Sequence, residues 1–357
     1  MRILKSVRVT ATALMSVCFV GCSSTDEGGN PVGTGDLPDA TQEEQEASIA
    51  KSAEARTEME RVLTTGVHDA DEIDLDQLDF GEVDRLYNEA IATDPKNTEA
   101  QFGAAVAHLL ALSSDANVRA VQDSIDAFTE DDGMGANKVA LLPLIPAKMA
   151  LQAVENPLTV SDLQATVDEE IIPAIDYALE RLSIVEEDPE FVFTLTPEMI
   201  GEDEDPVEID LGDVYMLDAQ LRLLKAVMLV TTAYDFDFDF EGNYEWLEEY
   251  GSNENVLRHL IRMDKTGTFM SLKSATSMQN TKSEILMAIS RMELGLESIR
   301  TETDDQEDDL ITREDVEDLD AEFDLSEEGD DTPLFFREIR STDDVLSKAR
   351  EALEGTV

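Results

Sequence analysis

The stretch from Phe80 to Leu112 constrains the fold more than any other part of this chain. Val83, Leu86, Tyr87, Ala90 and Ile91 recur at helical spacing and give one helix a single apolar face. Asp94-Pro95 ends that helix, because the residue before a proline is pushed out of the helical region. Thr98 is then placed to cap a second helix, where Ala100, Gly103, Ala104 and Ala107 are interleaved with Phe102 and Leu109. Small side chains let two helices approach closely, and the larger ones fill the groove between them.

These residues resemble a tetratricopeptide repeat. Tyr87, Ala90 and Pro95 match the second helix of one unit, and Ala105 takes the small first-helix position of the next. Val83, Gln101 and His108 depart from the pattern, standing where the family has Ala, Trp and an aromatic. The likeness spans about 35 residues, and no second clean copy follows at the repeat period of about 34. It implies a helical body whose concave surface engages a protein or peptide partner.

The rest of the chain reads as mainly α. Gln42 to Leu63 is charged, Ala-rich and poor in helix breakers. Gly66 to Asp79 is a polar, acidic connector. Helical patterns follow over Asn137–Val154, from a Ser161-Asp162 cap to Val167, and over Glu169–Val185. Asp213 to Tyr234 is apolar nearly all round and is expected to be the central buried helix. Thr281 to Ile299 is amphipathic through Ile285, Leu286, Ile289, Met292 and Leu296. Two β-prone runs, Phe191–Leu195 and Val207–Leu211, predict one small β-hairpin over about 191–211 that must lie against helices.

The domain reading is therefore a leader over 1–21, a tether over 22–41 and a helical body over 42–300. An acidic segment over 301–332 and a C-terminal helix within 333–357 complete it. In that last region Thr342 is placed to cap a helix from Asp343 to Glu354. The acidic segment, with Arg313 its one base, reads as a solvated, partly ordered surface stretch rather than an interaction tail. The tether is rich in Gly, Ser, Asp and Pro and can bury little.

The N-terminus carries its own signal. Arg2, Lys5 and Arg8 precede an apolar run from Val9 to Val20, too short for a membrane span of about 20 residues. The run closes on Phe19-Val20-Gly21-Cys22. That ending resembles a bacterial lipoprotein signal, with Phe19 where such signals carry Leu. The resemblance implies cleavage after Gly21 and lipidation of Cys22, hence a cell-envelope location with the membrane as a partner. Ser23-Ser24 resembles the outer-membrane sorting choice in a host with two membranes. Cys18 lies in the leader, so no disulfide is expected and packing alone must hold the exported body.

Charge narrows the partners. The 81 acids against 26 bases give a formal net charge of −55. Such a surface repels nucleic acid, so no nucleic-acid partner is expected. Acid excess with few lysines resembles proteins of salt-loving bacteria, whose surfaces are adapted to brine.

Catalytic signals are sparse. His68, His108 and His259 sit in unrelated segments, and no nucleophile elbow, phosphate loop or paired-histidine metal motif is present. No catalytic residue is assigned, and the chain is read as non-enzymatic. One loop carries metal-ligand spacing: Asp237, Asp239, Glu241, Asn243, Glu245 and Glu248 place oxygen donors around Gly242. This spacing resembles an EF-hand calcium loop. The alternating Phe236, Phe238 and Phe240 fit an extended segment with one packed face equally well. The functional expectation is an envelope-anchored scaffold that binds a protein or peptide. A calcium-dependent surface protein and a hydrolase or solute-uptake accessory are the alternatives.

Overall fold

The computed structural model describes residues 37–69, 72–73, 78–112, 115, 118–119, 160–200, 206–236, 268, 270–303, 309–322 and 341–355. The leader, Cys22, the helix expected over Asn137–Val154 and the loop Asp237–Glu248 lie outside these residues. The described chain is mainly helical, as expected, with short antiparallel strand pairs.

Helix α1 (Gln42–Gly66) opens on a capping box. Thr41 Oγ1 accepts from the Glu44 backbone N–H at 3.3 Å, and the Glu44 carboxylate accepts from the Thr41 N–H at 2.7 Å. Ser48, Ser52, Ala55, Met59 and Val62 are buried at alternating spacings of four and three, which is one helical seam. The seam packs on α2 (Gly81–Thr93) and α3 (Thr98–Ala111). Its two serines are satisfied across the interface: Ser48 Oγ donates to the Ala90 carbonyl at 2.9 Å, and Asn97 Nδ2 donates to both Ser hydroxyls at 2.8 and 3.1 Å.

The residues buried by α2 include Val83, Leu86, Tyr87, Ala90 and Ile91, the face read from sequence. Asp94 is extended ahead of Pro95. Asn97, not Thr98, caps α3, its Oδ1 accepting from the Ala100 N–H at 3.0 Å. Thr98 is displaced one position along the helix and donates to Asp188 at 2.8 Å instead. The Tyr87 ring lies flat on Gly103, in the space a Cβ would need. The connector after α1 contains a short antiparallel pair, β1 (Val67–Asp69) with β2 (Glu72–Ile73), where the sequence suggested only a polar link.

Two helices expected around Val167 form one continuous rod. Helix α4 (Val160–Thr166) passes through a π-turn (Val167–Ile171) into α5 (Ile172–Val185). Pro173 explains the wide turn, because proline has no N–H for the Glu169 carbonyl four residues back and its ring crowds that same carbonyl. Strand β3 (Phe193–Leu195) pairs antiparallel with β4 (Val207–Ile209), Phe193 opposite Ile209, so the expected hairpin is present with shorter strands. A one-turn helix α6 (Pro197–Ile200) follows β3. Phe102 of α3 packs its ring at a tilt against Phe191 and Phe193, at 5.4 and 5.0 Å between ring centroids, and joins the hairpin to the central core.

Helix α7 (Leu211–Ala233) starts on a reciprocal Asp210–Asp213 capping box. It is not buried all round: Val214, Leu221, Met228 and Leu229 face the core, whereas Leu223 and Val227 are exposed. A second face packs on α8 (Ala275–Thr301), which begins six residues before the expected start because Ser274 caps it. Gly212, Ala219, Ala226 and Ala233 line α7 at seven-residue intervals, and Thr281, Ala288 and Gly295 do the same on α8. All seven are buried, and they bring the two backbones together.

Part of the acidic segment is helical. Helix α9 (Arg313–Glu322) starts on a Thr312–Asp315 box and buries Val316. Ser341, not Thr342, caps α10 (Thr342–Glu354). With α8 these helices enclose a third core of Ile289, Leu296, Ile299, Val316 and Leu346. Arg300 clips them together through Asp320 at 2.8 Å and Asp343 at 2.9 Å.

Candidate functional site

Two polar constellations stand out, and both are built on α5. The deeper one lies where α5, α7 and α8 meet. Asp218 and Arg222 are one turn apart on α7, so they reach each other along the helix. Arg222 grips Asp218 through two bonds, at 2.5 and 3.1 Å, and its remaining arm reaches Glu284 of α8 at 3.0 Å. Lys225 bridges Glu284 at 2.5 Å and Asp176 of α5 at 2.6 Å. Arg291 of α8 holds Glu186, at the end of α5, at 2.7 Å and approaches Asp218 at 3.8 Å.

Asp218 is fully buried, and Arg222 and Glu284 are nearly so. Burial pushes the Glu186 carboxyl up to about 8, and the nearby Asp218 charge adds to it against the pull of Arg291 and Arg222. Burial raises Asp218 as well, opposed by its Arg222 bonds. Lys225 is raised too, but for a different reason. Burial works against its charge, but Asp176 and Glu284 outweigh burial and hold it protonated above its ordinary range. A buried lattice of this kind adds little net stability over a well-packed apolar core, but it fixes which helix faces meet.

The second constellation is a seam at the edge of α2, α3 and α5. The Tyr177 hydroxyl donates to Asn88 Oδ1 at 2.7 Å, and Asn88 in turn donates to Asp84 at 3.0 Å. The His108 ring stacks on Tyr177 at 4.3 Å, and His108 Nδ1 lies 3.6 Å from Asp84. The Arg181 guanidinium covers the same tyrosine at 4.6 Å and reaches Gln101 at 3.4 Å. Its Nε is buried without a hydrogen-bond partner, and among the described residues no carboxylate forms an ion pair with it.

Cys22 and the six candidate calcium ligands Asp237, Asp239, Glu241, Asn243, Glu245 and Glu248 lie outside the described residues. Among the described residues no cluster of three or more His, Cys, Asp and Glu is arranged to hold a metal, and no helix is long and apolar enough to cross a membrane. The apolar pattern of α7 hides the lattice in the sequence. The available signal was Asp218 and Arg222 at helical spacing, with Lys225 beside them. No family model, no curated protein and no solved structure matches this chain.

Proposed function

We propose that this chain is an envelope-anchored lipoprotein whose helical body acts as a non-enzymatic scaffold that binds a protein or peptide. The observation that carries the binding half is the seam of His108, Tyr177 and Arg181. Arginine and tyrosine dominate the energetic centres of protein interfaces, where one flat polar side chain can bury a large area. Here an arginine stays free of carboxylate partners among the described residues, although acids outnumber bases threefold across the chain. The α2–α3 packing read as repeat-like supports the same reading, since it gives the seam a rigid backing. The anchor half rests on the leader ending at Gly21-Cys22.

Site-directed photocrosslinking in the native envelope tests the binding half. A crosslinker at His108 should give a discrete adduct that Arg181→Ala abolishes, while one at exposed Glu54 should give none. Equal adducts from both sites, or an adduct indifferent to Arg181→Ala, would reject the seam as the binding face. The anchor has a separate readout. The intact protein should partition into the detergent phase, and Cys22→Ser should move it to water.

A further inference from the structure

Four carboxyl groups of the α5–α7–α8 junction, Asp176, Glu186, Asp218 and Glu284, are held by three cations, Arg222, Lys225 and Arg291. Arg222 is occupied by Asp218 and Glu284, and Lys225 by Glu284 and Asp176. Arg291 alone serves Glu186 and has only a long contact left for Asp218. Glu186 Oε1 is buried with no hydrogen-bond partner among the described residues. Glu186 is also the C-cap of α5, where the helix dipole disfavours an anion. Tyr215 of α7 completes the surroundings, lying close enough to feel the Glu186 charge.

We propose that the contact of Glu186 with Asp218 and Arg291 is a proton-dependent latch that holds α8, and the α9–α10 unit it carries, against α5 and α7. This goes beyond the binding reading and does not depend on it. With a proton on Glu186 the junction is balanced and closed. Without it, four carboxylates face three cations, and the uncompensated charge falls beside Asp218 at Glu186, whose one close ion pair among the described residues is to Arg291 of α8.

The direction follows from linkage. Burial, and after it the Asp218 charge, push the Glu186 carboxyl up to about 8 in the closed state, against 4.5 for an ordinary glutamate. Between those values the closed state holds a proton that the open state has released. The latch is therefore tightest at the acid end, weakens as pH rises through that window, and changes little above it. Each pH unit inside the window changes the opening equilibrium by up to about tenfold.

Hydrogen exchange of the full-length protein, corrected for intrinsic rates, reads this directly. Opening of α8 amides should rise at least about tenfold between pH 5.5 and pH 8 in the wild type. Glu186→Gln is a mimic of the protonated side chain and should remove most of that rise, while α1–α3 amides serve as the internal control. The same pH dependence in the wild type and in Glu186→Gln would overturn the proposal. A carbon-13 titration of the wild type gives an independent decision should the variant fail to fold. A Glu186 carboxyl that titrates at an ordinary glutamate value ends the latch.

Discussion

Arg222 shows what one side chain controls here. Its guanidinium is shared between Asp218, which is fully buried, and Glu284, which is nearly so. Arg222→Met keeps much of the apolar stem and removes the charge, leaving both carboxylates to face each other in a low-dielectric junction. Breaking a buried pair from one side costs about 3–5 kcal/mol, so the urea midpoint should fall by that equivalent at an unchanged slope. A loss below about 1 kcal/mol would mean that water already reaches the pair, as it does at exposed ion pairs. The contrast is Arg85, which pairs with Glu82 and Glu89 on the open face of α2, where its replacement should change little. Sequence could not separate these two arginines. In a chain with 81 acids, six of the ten described helices offer a carboxylate one turn from a Lys or Arg, and only burial decides which pair matters. The Tyr87–Gly103 contact was legible in part: the small residues were seen, but not which ring would lie on them.

At the scale of elements, the α7–α8 pair is the one that small residues decide. A Cβ added at Gly295 would meet Met216 at 3.0 Å and the backbone carbonyl of Gly212 at 3.1 Å. The methionine can swing away, but the backbone oxygen cannot. Gly295→Leu must therefore push the helix axes apart, and overpacking of this kind costs about 1–3 kcal/mol. The expected result is a lower melting point together with faster hydrogen exchange in α8–α10, with α1–α3 unaffected because their core is separate. Uniform loss of protection across all helices would instead mean that the cores unfold as one unit. Sequence periodicity found both helices but misjudged how α7 is used. Leucines, valines and methionines on many sides suggested full burial, whereas its tightest contact runs along Gly212, Ala219, Ala226 and Ala233, which contribute little to a hydropathy pattern. Local signals performed better where the chemistry is local. The helix bounds at Asp94-Pro95 and the strand pair around Phe193 follow from backbone restriction and β-propensity. The π-turn before Pro173 did not, because a proline in a first turn and a proline after a wide turn leave the same trace in sequence.

Across the whole molecule, the net charge of −55 sets the terms on which the cores compete with self-repulsion. The two act at different ranges. At about 0.01 M salt the screening length is roughly 30 Å, so each surface carboxylate feels charges far across the fold, while at about 1 M it shrinks to near 3 Å. Unfolding relieves repulsion by spreading the charges, so added salt should favour the compact state. The buried lattice of Asp218, Arg222 and Glu284 is shielded from solvent ions and should respond little. Thermal melts in sodium chloride, which perturbs apolar hydration less than sulfate does, should show the midpoint rising by about 5 °C or more between about 0.05 M and 2 M, equivalent to one to three kcal/mol for a chain of this size. Arg222→Met should melt lower but rise with salt by the same increment, because the surface field and the buried pair are independent terms. A midpoint that falls with salt would mean that exposed ion pairs such as Lys51–Glu54 and Arg85–Glu82 outweigh the repulsion, and the acidic surface could not then be read as an adaptation to brine.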